Sequence, residues 1–238
     1  MINPTIMRIT LRGLFGRRRF LLLLPLPALV AGLALLAELL GSTPPDWVPA
    51  VVVGLGFAVV LPVMALIVGA SALGSEIEDG TIVHILAKPL PRRAIILSKL
   101  VIAVAVTALA SGAGMVAAGL LAGSGRLALG LFAGTAVGAV AYSALFLALS
   151  AVSRRPVLAG LLYVLIWEGM LSNLMPGVRL VSIQHYAVSV AQSVAGTDLF
   201  NGTVSVPVTL VMTALITVAA TVLAVDRLRS FALAGETS

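Results

Sequence analysis

The sequence predicts an all-α polytopic membrane protein with six transmembrane helices. Sixty per cent of its 238 residues are hydrophobic and ten per cent are charged, too little polar surface to keep a soluble domain of this size dispersed. Apolar runs of roughly 20 residues recur along the chain, the length a helix needs to cross about 30 Å of hydrocarbon at 1.5 Å per residue. Of the 15 lysines and arginines, all but Arg126 and Arg179 fall on one side when the runs alternate, the positive-inside pattern that places both termini in the cytoplasm.

Residues 1–19 come first. Wound as a helix over Thr5 to Arg19, they set Arg8, Arg12 and Arg19 on one face and Ile6, Met7, Ile9 and Leu14 over the other, an N-terminal interfacial amphipathic helix. Phe15 falls near the arginine face, and a plain basic flank that only sets orientation is the alternative. The first run, Phe20 to Leu40, is too long for a secretory signal and lacks a small-residue cleavage site, so it is a retained span. Spans are expected near 20–41, 49–73, 94–123, 128–151, 157–174 and 206–225. No separate soluble domain fits between them. The chain therefore reads as one transmembrane domain over 1–238, with an interfacial helix at 1–19, a six-helix bundle at 20–225 and a cytoplasmic tail at 226–238.

Within the spans, Gly130, Gly134 and Gly138 repeat every four residues, as do Gly119 and Gly123. Such spacing lets helix backbones approach closely in lipid and marks packing faces, not a substrate site. Glu38 and Asp46 flank the first outer loop and are expected to be solvated. The stretch from Met175 to Ser205 mixes Arg179, Gln184, His185, Tyr186, Gln192 and Asp198 with valines and alanines. It either dips back into the membrane under a covering of protein or forms a surface cap.

Cysteine is absent and the two histidines are far apart in sequence, which argues against a disulfide framework, thiolate chemistry or a metal site. The formal charge of +6 sits in short connections beside apolar spans, where lipid headgroups are its natural partners and nucleic acid is not. Glu168, inside the fifth span, is a candidate pathway residue, because burying a carboxylate in lipid is costly. The alternative is a position near the outer interface, neutral or paired with a group such as Asn173.

The most informative segment is the connection from Gly74 to Leu100, GSEIEDGTIVHILAKPLPRRAIILSKL. Asp79 can cap a short helix through Gly80 to Ala87, which Lys88, Pro89 and Pro91 stop before Arg92 opens the next helix. Thr81, His84 and Lys88 share one stripe of that short cytoplasmic helix, and Ile82, Ile85 and Leu86 another. One stripe can meet the bundle and the other a soluble partner. Arg92 and Lys99 lie one above the other, two turns apart, at the foot of the third span. The plainer alternative is an interfacial helix anchored by basic residues.

The order Glu76, Asp79, Gly80, Thr81, Lys88, Pro89, Pro91, Arg92, Arg93 and Lys99 resembles the first cytoplasmic loop of ABC transporter permeases of the type 2 (ABC-2) exporter class. Six spans and a basic amphipathic start also fit that family. The resemblance implies a multi-pass permease in a bacterial plasma membrane, pairing with a second permease copy around a shared pathway and driven by a separate ABC ATPase subunit. Glu76, Asp79, Gly80, Thr81 and His84 would then lie on a coupling helix against that ATPase, and Lys88, Pro89, Arg92, Arg93 and Lys99 would fix its return into the third span. No glycine-rich loop ends in Gly-Lys-Ser or Gly-Lys-Thr, since Lys88 and Lys99 follow alanine and serine. No cofactor is therefore expected on this chain, ATP and magnesium belong to the partner, and the chain is not itself an enzyme.

An ion-gradient-driven secondary transporter shares this hydropathy but usually carries several deep ionisable groups, where this chain offers Glu168. A lone intramembrane hydrolase would need an acid–base pair, and His84 and His185 fall on opposite sides. The mostly Ala, Val, Leu and Gly spans reveal no selectivity pocket, and suit drug, lipid, peptide or saccharide cargo alike.

Overall fold

The computed structural model describes residues 7–8, 10–11, 24–78, 91–153, 155–200, 202 and 204–235. Among these, every regular element is helical and no strand occurs. Helix α1 is Pro25–Leu39. Helix α2 is continuous over three parts, Pro44–Val48, Pro49–Val60 and Leu61–Glu78. Its middle part widens to i→i+5 hydrogen bonding between Pro49 and Pro62, whose missing N–H groups interrupt the ordinary ladder. Helices α3 (Arg92–Leu121) and α4 (Gly125–Val152) follow. Helix α5 runs through Pro156–Leu162, a π-helical Tyr163–Leu171 and Ser172–Leu174. A 3-10 turn, Pro176–Val181, leads into α6 (Ile183–Ala195), and α7 is Val206–Gly235.

Four stretches are long and apolar enough to cross a membrane: Pro44–Ala72, Arg92–Leu121, Gly125–Val152 and Val206–Leu228. Two shorter apolar helices, Pro25–Leu39 and Pro156–Leu171, occupy the places expected for the first and fifth spans. Helix α1, at 15 residues, is about 22 Å long, short of the roughly 30 Å of hydrocarbon; the rest of its expected run, 20–23, lies outside the described residues. Helix α7 continues through most of the expected 226–238 tail, to Gly235. Of the N-terminal segment, Met7, Arg8, Thr10 and Leu11 are described and helical. Thr10 is buried and Met7 packs against the core, while Arg8 and Leu11 are exposed.

Local chemistry sets the tight connections. After α1, Gly41 has φ +74°, with its N–H on the Glu38 carbonyl and the Ser42 N–H on that of Ala37. Gly123 (φ +74°) repeats the pattern after α3, with its N–H on Leu120 and that of Ser124 on Gly119. This is the Schellman stop, which needs the left-handed conformation that glycine adopts freely. Gly123 is thus a turn residue and not a packing face, and only Gly119 of that pair meets a neighbouring helix, at Ala128 of α4. Asp46, expected to be merely solvated, is exposed and also closes a capping box at the start of α2, its Oδ2 accepting the Thr43 N–H at 3.1 Å.

Helix α4 is the hub, packing on α2, α3, α6 and α7. Its glycine stripe explains the closest of these approaches. A Cβ built on Gly130 would lie 2.6 Å from the Ala191 carbonyl oxygen and 2.7 Å from Ala195 Cβ. One on Gly134 would strike the Ala187 carbonyl oxygen, and one on Gly138 would meet Leu61 Cδ2 at 2.6 Å. Helix α6 is therefore seated in a groove that glycine creates, with Ala187, Ala191 and Ala195 as its small-residue counterpart. A large apolar cluster surrounds this contact, and a second, built from Ala72, Ile96, Leu100, Ala148, Ala224 and their neighbours, sits where α2, α3, α4 and α7 meet.

Candidate functional site

Two polar features stand out in this apolar bundle. The first lies where α2 and α3 flank the connection singled out in the sequence. Asp79, Gly80, Thr81, His84, Lys88 and Pro89 lie outside the described residues, and Glu76 is described only as backbone in the last turn of α2. Pro91 takes an extended conformation at the N-cap of α3, so Arg92 and Arg93 are the first two residues of that helix. Arg93 is exposed and Arg92 half-buried. Lys99 is 1 % exposed, and its ammonium donates to the Ala72 carbonyl of α2 at 2.5 Å. A buried cation thereby ties the two helices together next to the ends of the connection, with its four-carbon stem filling space in the core.

That stem predicts a separation of effects. Lys99→Ala should lower stability by about 2–3 kcal/mol, as truncation of a large buried side chain does. Lys99→Met, which keeps the volume and removes the charge, should recover most of the loss. Thermal unfolding of the purified variants in one detergent measures both, and equal losses would mean that the charge, not the stem, supplies the stability.

The second feature centres on Glu168. It sits in the π-helical part of α5, 1 % exposed, while Leu165, Ile166 and Met170 of the same turns are exposed. The carboxyl thus faces the bundle interior, as an ionisable group at membrane depth must. Ser182 Oγ donates to Oε2 at 2.5 Å, the Ile183 backbone N–H to Oε1 at 3.0 Å and the Tyr163 hydroxyl to Oε1 at 3.2 Å. Ser172 Oγ donates to the Glu168 backbone carbonyl. The buried Tyr142 hydroxyl also comes near the carboxyl, without reaching hydrogen-bond geometry. Phe146 organises these phenols, stacking on Tyr142 (centroids 5.9 Å apart, 8° between planes) and meeting Tyr163 edge-on (6.2 Å, 81°).

Ser182 is the N-cap of α6, accepting the His185 N–H at 3.4 Å. Glu168 thus closes on the N-terminus of a helix, where free N–H groups and the helix dipole favour a carboxylate. His185 Nδ1 lies 2.9 Å from Ser182 Oγ. Because the hydroxyl proton goes to Glu168, His185 is the donor there, and the chain His185, Ser182, Glu168 runs from a half-buried imidazole to a buried carboxyl.

The segment 176–205 answers the choice left open between re-entry and a surface cap. Tyr142 is roughly 26 Å along α4 from Gly125, at 1.5 Å per residue. The N-terminus of α6 approaches that level, and its C-terminus ends beside Gly130, near the start of α4. The segment re-enters the bundle. Side chains close on backbone oxygens along the way: the Tyr186 hydroxyl donates to Leu180 O and Arg126 Nε to Val194 O in the last turn of α6 at 3.3 Å, while Arg179 Nε reaches back to Ser172 O of α5 at 3.3 Å.

Sequence reasoning singled out Glu168 and missed Tyr142, Tyr163, Ser182 and the Ile183 N–H. A serine directly before an apolar helical pattern, Ser182 before Ile183–Ala195, was the available N-cap signal. The phenols carried none, being apolar-run residues until the fold brings them together. The side chain of Asn173, offered as a partner, lies outside the described residues; among those described, the carboxyl meets Ser182, Ile183 and Tyr163.

Comparison with known proteins adds family to fold. No curated protein matches the chain significantly. The family described as ABC-2 family transporter protein matches residues 18–231, a span that takes in the flanks of the α2–α3 connection, the re-entrant segment and all of the long apolar helices. The chain belongs to the ABC-2 transporter family and is a multi-pass membrane permease of an ABC transporter.

Proposed function

We propose that this permease is the membrane half of an exporter: two copies pair around a shared pathway, and a separate cytoplasmic ABC ATPase drives them. Six membrane passages, with α1 and α5 as the short members, and both termini in the cytoplasm of a bacterial plasma membrane complete the reading, with 1–238 as one permease domain and 1–19 lying along the membrane surface. The coupling helix is carried by Glu76, Asp79, Gly80, Thr81, His84, Lys88 and Pro89, and Arg92, Arg93 and Lys99 anchor its return. ATP and magnesium bind the partner. Closure of the ATPase dimer pushes this connection, and α2 and α3 pass the movement inward as rigid elements. Glu168, the buried carboxyl of the bundle, belongs to the pathway, where its contact with the N-terminus of α6 is made or released as the outer end changes shape.

What carries the reading is the motif from Glu76 to Lys99, set between two long spans of a chain whose family match covers 18–231. Support also comes from the buried Lys99–Ala72 link, which makes α2 and α3 move together next to that connection. The test is a mild-detergent pull-down of the tagged protein from its own membranes, with mass spectrometry of what is bound. Recovery of a phosphate-loop ATPase, lost when Glu76 and Asp79 are both changed to lysine, is the expected result. If no ATPase copurifies while other membrane complexes survive, the proposal fails in favour of an ion-gradient-driven transporter.

A further inference from the structure

Ser182 joins two groups that differ in their access to the outside of the bundle. Glu168 and Ser182 are buried, while the His185 ring is half-buried. The ring nitrogen Nδ1, the serine Oγ and the carboxyl Oε2 follow one another at 2.9 and 2.5 Å, each step within hydrogen-bond reach. The Ile183 N–H and the Tyr163 hydroxyl hold Oε1, so a proton arriving through the serine goes to Oε2. The groups around this line make the imidazole its entrance. Tyr142 of α4, Tyr163 of α5 and Tyr186 of α6 stand within electrostatic reach of the carboxyl, but a phenol does not give up its proton at neutral pH. Arg179 of the 176–181 turn bears on His185; its guanidinium stays charged and works against a lasting imidazolium. Arg126 lies at the other end of α6. Neither Pro49–Val60 of α2 nor residues 206–225 of α7, whose helices also pack on α6, contain a titratable group. Imidazole is the side chain that exchanges its proton near neutral pH.

We propose that His185, Ser182 and Glu168 form a proton-binding site, in which the imidazole takes a proton from water outside the bundle and passes it through the serine hydroxyl to the buried carboxylate. The incoming proton adds to Nε2 of a ring already protonated at Nδ1. The Nδ1–H bond then breaks as a new Oγ–H bond forms, and the original Oγ–H bond breaks as Oε2–H forms. The ring ends neutral with its proton on Nε2, the carboxyl ends neutral, and both hydrogen bonds of the line persist with their direction reversed. What is lost is the carboxylate charge facing the first turn of α6, so acidification loosens the hold on the re-entrant helix. The site depends on neither an ATPase partner nor a direction of transport, and it stands whether or not Glu168 lines the pathway.

Two measurements on the full chain, purified through a tag without histidine and held in lipid nanodiscs, test it. The chain has two histidines, so the nitrogen NMR signals of His185 are assigned by their loss in His185→Gln. In the unaltered protein the neutral ring should carry its proton on Nδ1. The second measurement is a pH jump followed by time-resolved infrared absorption. The carbonyl band of a protonated carboxyl, assigned by its loss in Glu168→Gln, should rise on acidification. Its rate should fall about a hundredfold or more in Ser182→Ala and in His185→Gln, the low end of what a positioned proton-transfer group contributes. Ser182→Thr, which keeps a hydroxyl, should restore it. A serine that only caps α6 would move the pH at which the band appears and leave its rate alone, so a band that rises as fast in Ser182→Ala as in the parent overturns the proposal. So does a Glu168 band that never appears before the protein unfolds in acid. A neutral His185 ring protonated on Nε2 overturns it from the unaltered protein alone, however poorly the variants fold.

Discussion

Gly134→Leu is expected to prevent the re-entrant helix from seating and to leave little protein that survives purification as a single folded species. A Cβ at this position would collide with the Ala187 carbonyl oxygen and come within 2.9 Å of Ala191 Cβ. The first obstacle is backbone, so no rotamer change in α6 relieves it. Even one or two extra methylenes in a packed interior cost about 1–3 kcal/mol, and Gly134→Ala should fall in that range. Leucine adds three more carbons where α4 and α6 touch and should exceed it. Against a total stability of about 5–15 kcal/mol, such a loss is large. The control is Gly54→Leu in α2, where an added Cβ meets nothing within 4 Å and the change should stay within about 0.5 kcal/mol. Size-exclusion profiles and melting temperatures in the same detergent decide the matter. A Gly134→Leu protein that elutes and melts like the parent would show that α6 does not rest on α4.

This contact marks how far the sequence could be taken. The four-residue spacing of Gly130, Gly134 and Gly138 identified a face of close approach, because backbone proximity in lipid demands small residues at helical period. It could not say which helix lay opposite. The answer was a second stripe, Ala187, Ala191 and Ala195, some fifty residues away in a segment whose polar residues obscured its helical pattern. Long apolar runs were legible for the same reason that glycine stripes were, since each depends on period and length within one stretch of chain. Chain ends of helices were less so: α2 begins at Pro44 rather than near 49, because two prolines and a capping box start it inside what hydropathy assigns to a loop. The Glu168 cluster was the least legible feature. One member could be named from its charge, while Ser182 and Ile183 are 14 and 15 residues away along the chain and reach it only because α5 turns back on itself through Pro176–Val181. At the α2–α3 connection the reverse holds. Its motif is legible as resemblance, most of its residues lie outside the described structure, and the Lys99–Ala72 link is a side-chain-to-backbone contact that no residue pattern announces.

The second large effect is expected at Glu168. Glu168→Ala removes the acceptor shared by the Tyr163 hydroxyl, the Ser182 hydroxyl and the Ile183 N–H. A buried donor left unsatisfied costs about 1–3 kcal/mol, and because the three are neighbours their costs will not simply add. A combined loss of about 2–5 kcal/mol is the expectation, more than one unsatisfied donor costs and less than the sum of three. Glu168→Gln keeps an oxygen for Tyr163 and Ile183 but turns an NH2 group toward Ser182 Oγ, which already receives a proton from His185. The serine hydroxyl must then find another acceptor, and a loss of about 1–2 kcal/mol follows. Hydrogen exchange should localise both effects, with the first turn of α6 and the 176–181 turn losing protection before α4 does. Ser182→Ala separates a structural role from a pathway role, since it removes one of the same hydrogen bonds without touching the carboxyl. If Glu168 belongs to the pathway, ATPase-driven transport in membrane vesicles should fall much further for Glu168→Gln than for a Ser182→Ala protein of equal stability. Equal transport in the two variants would reduce Glu168 to a clasp that holds the re-entrant helix in place.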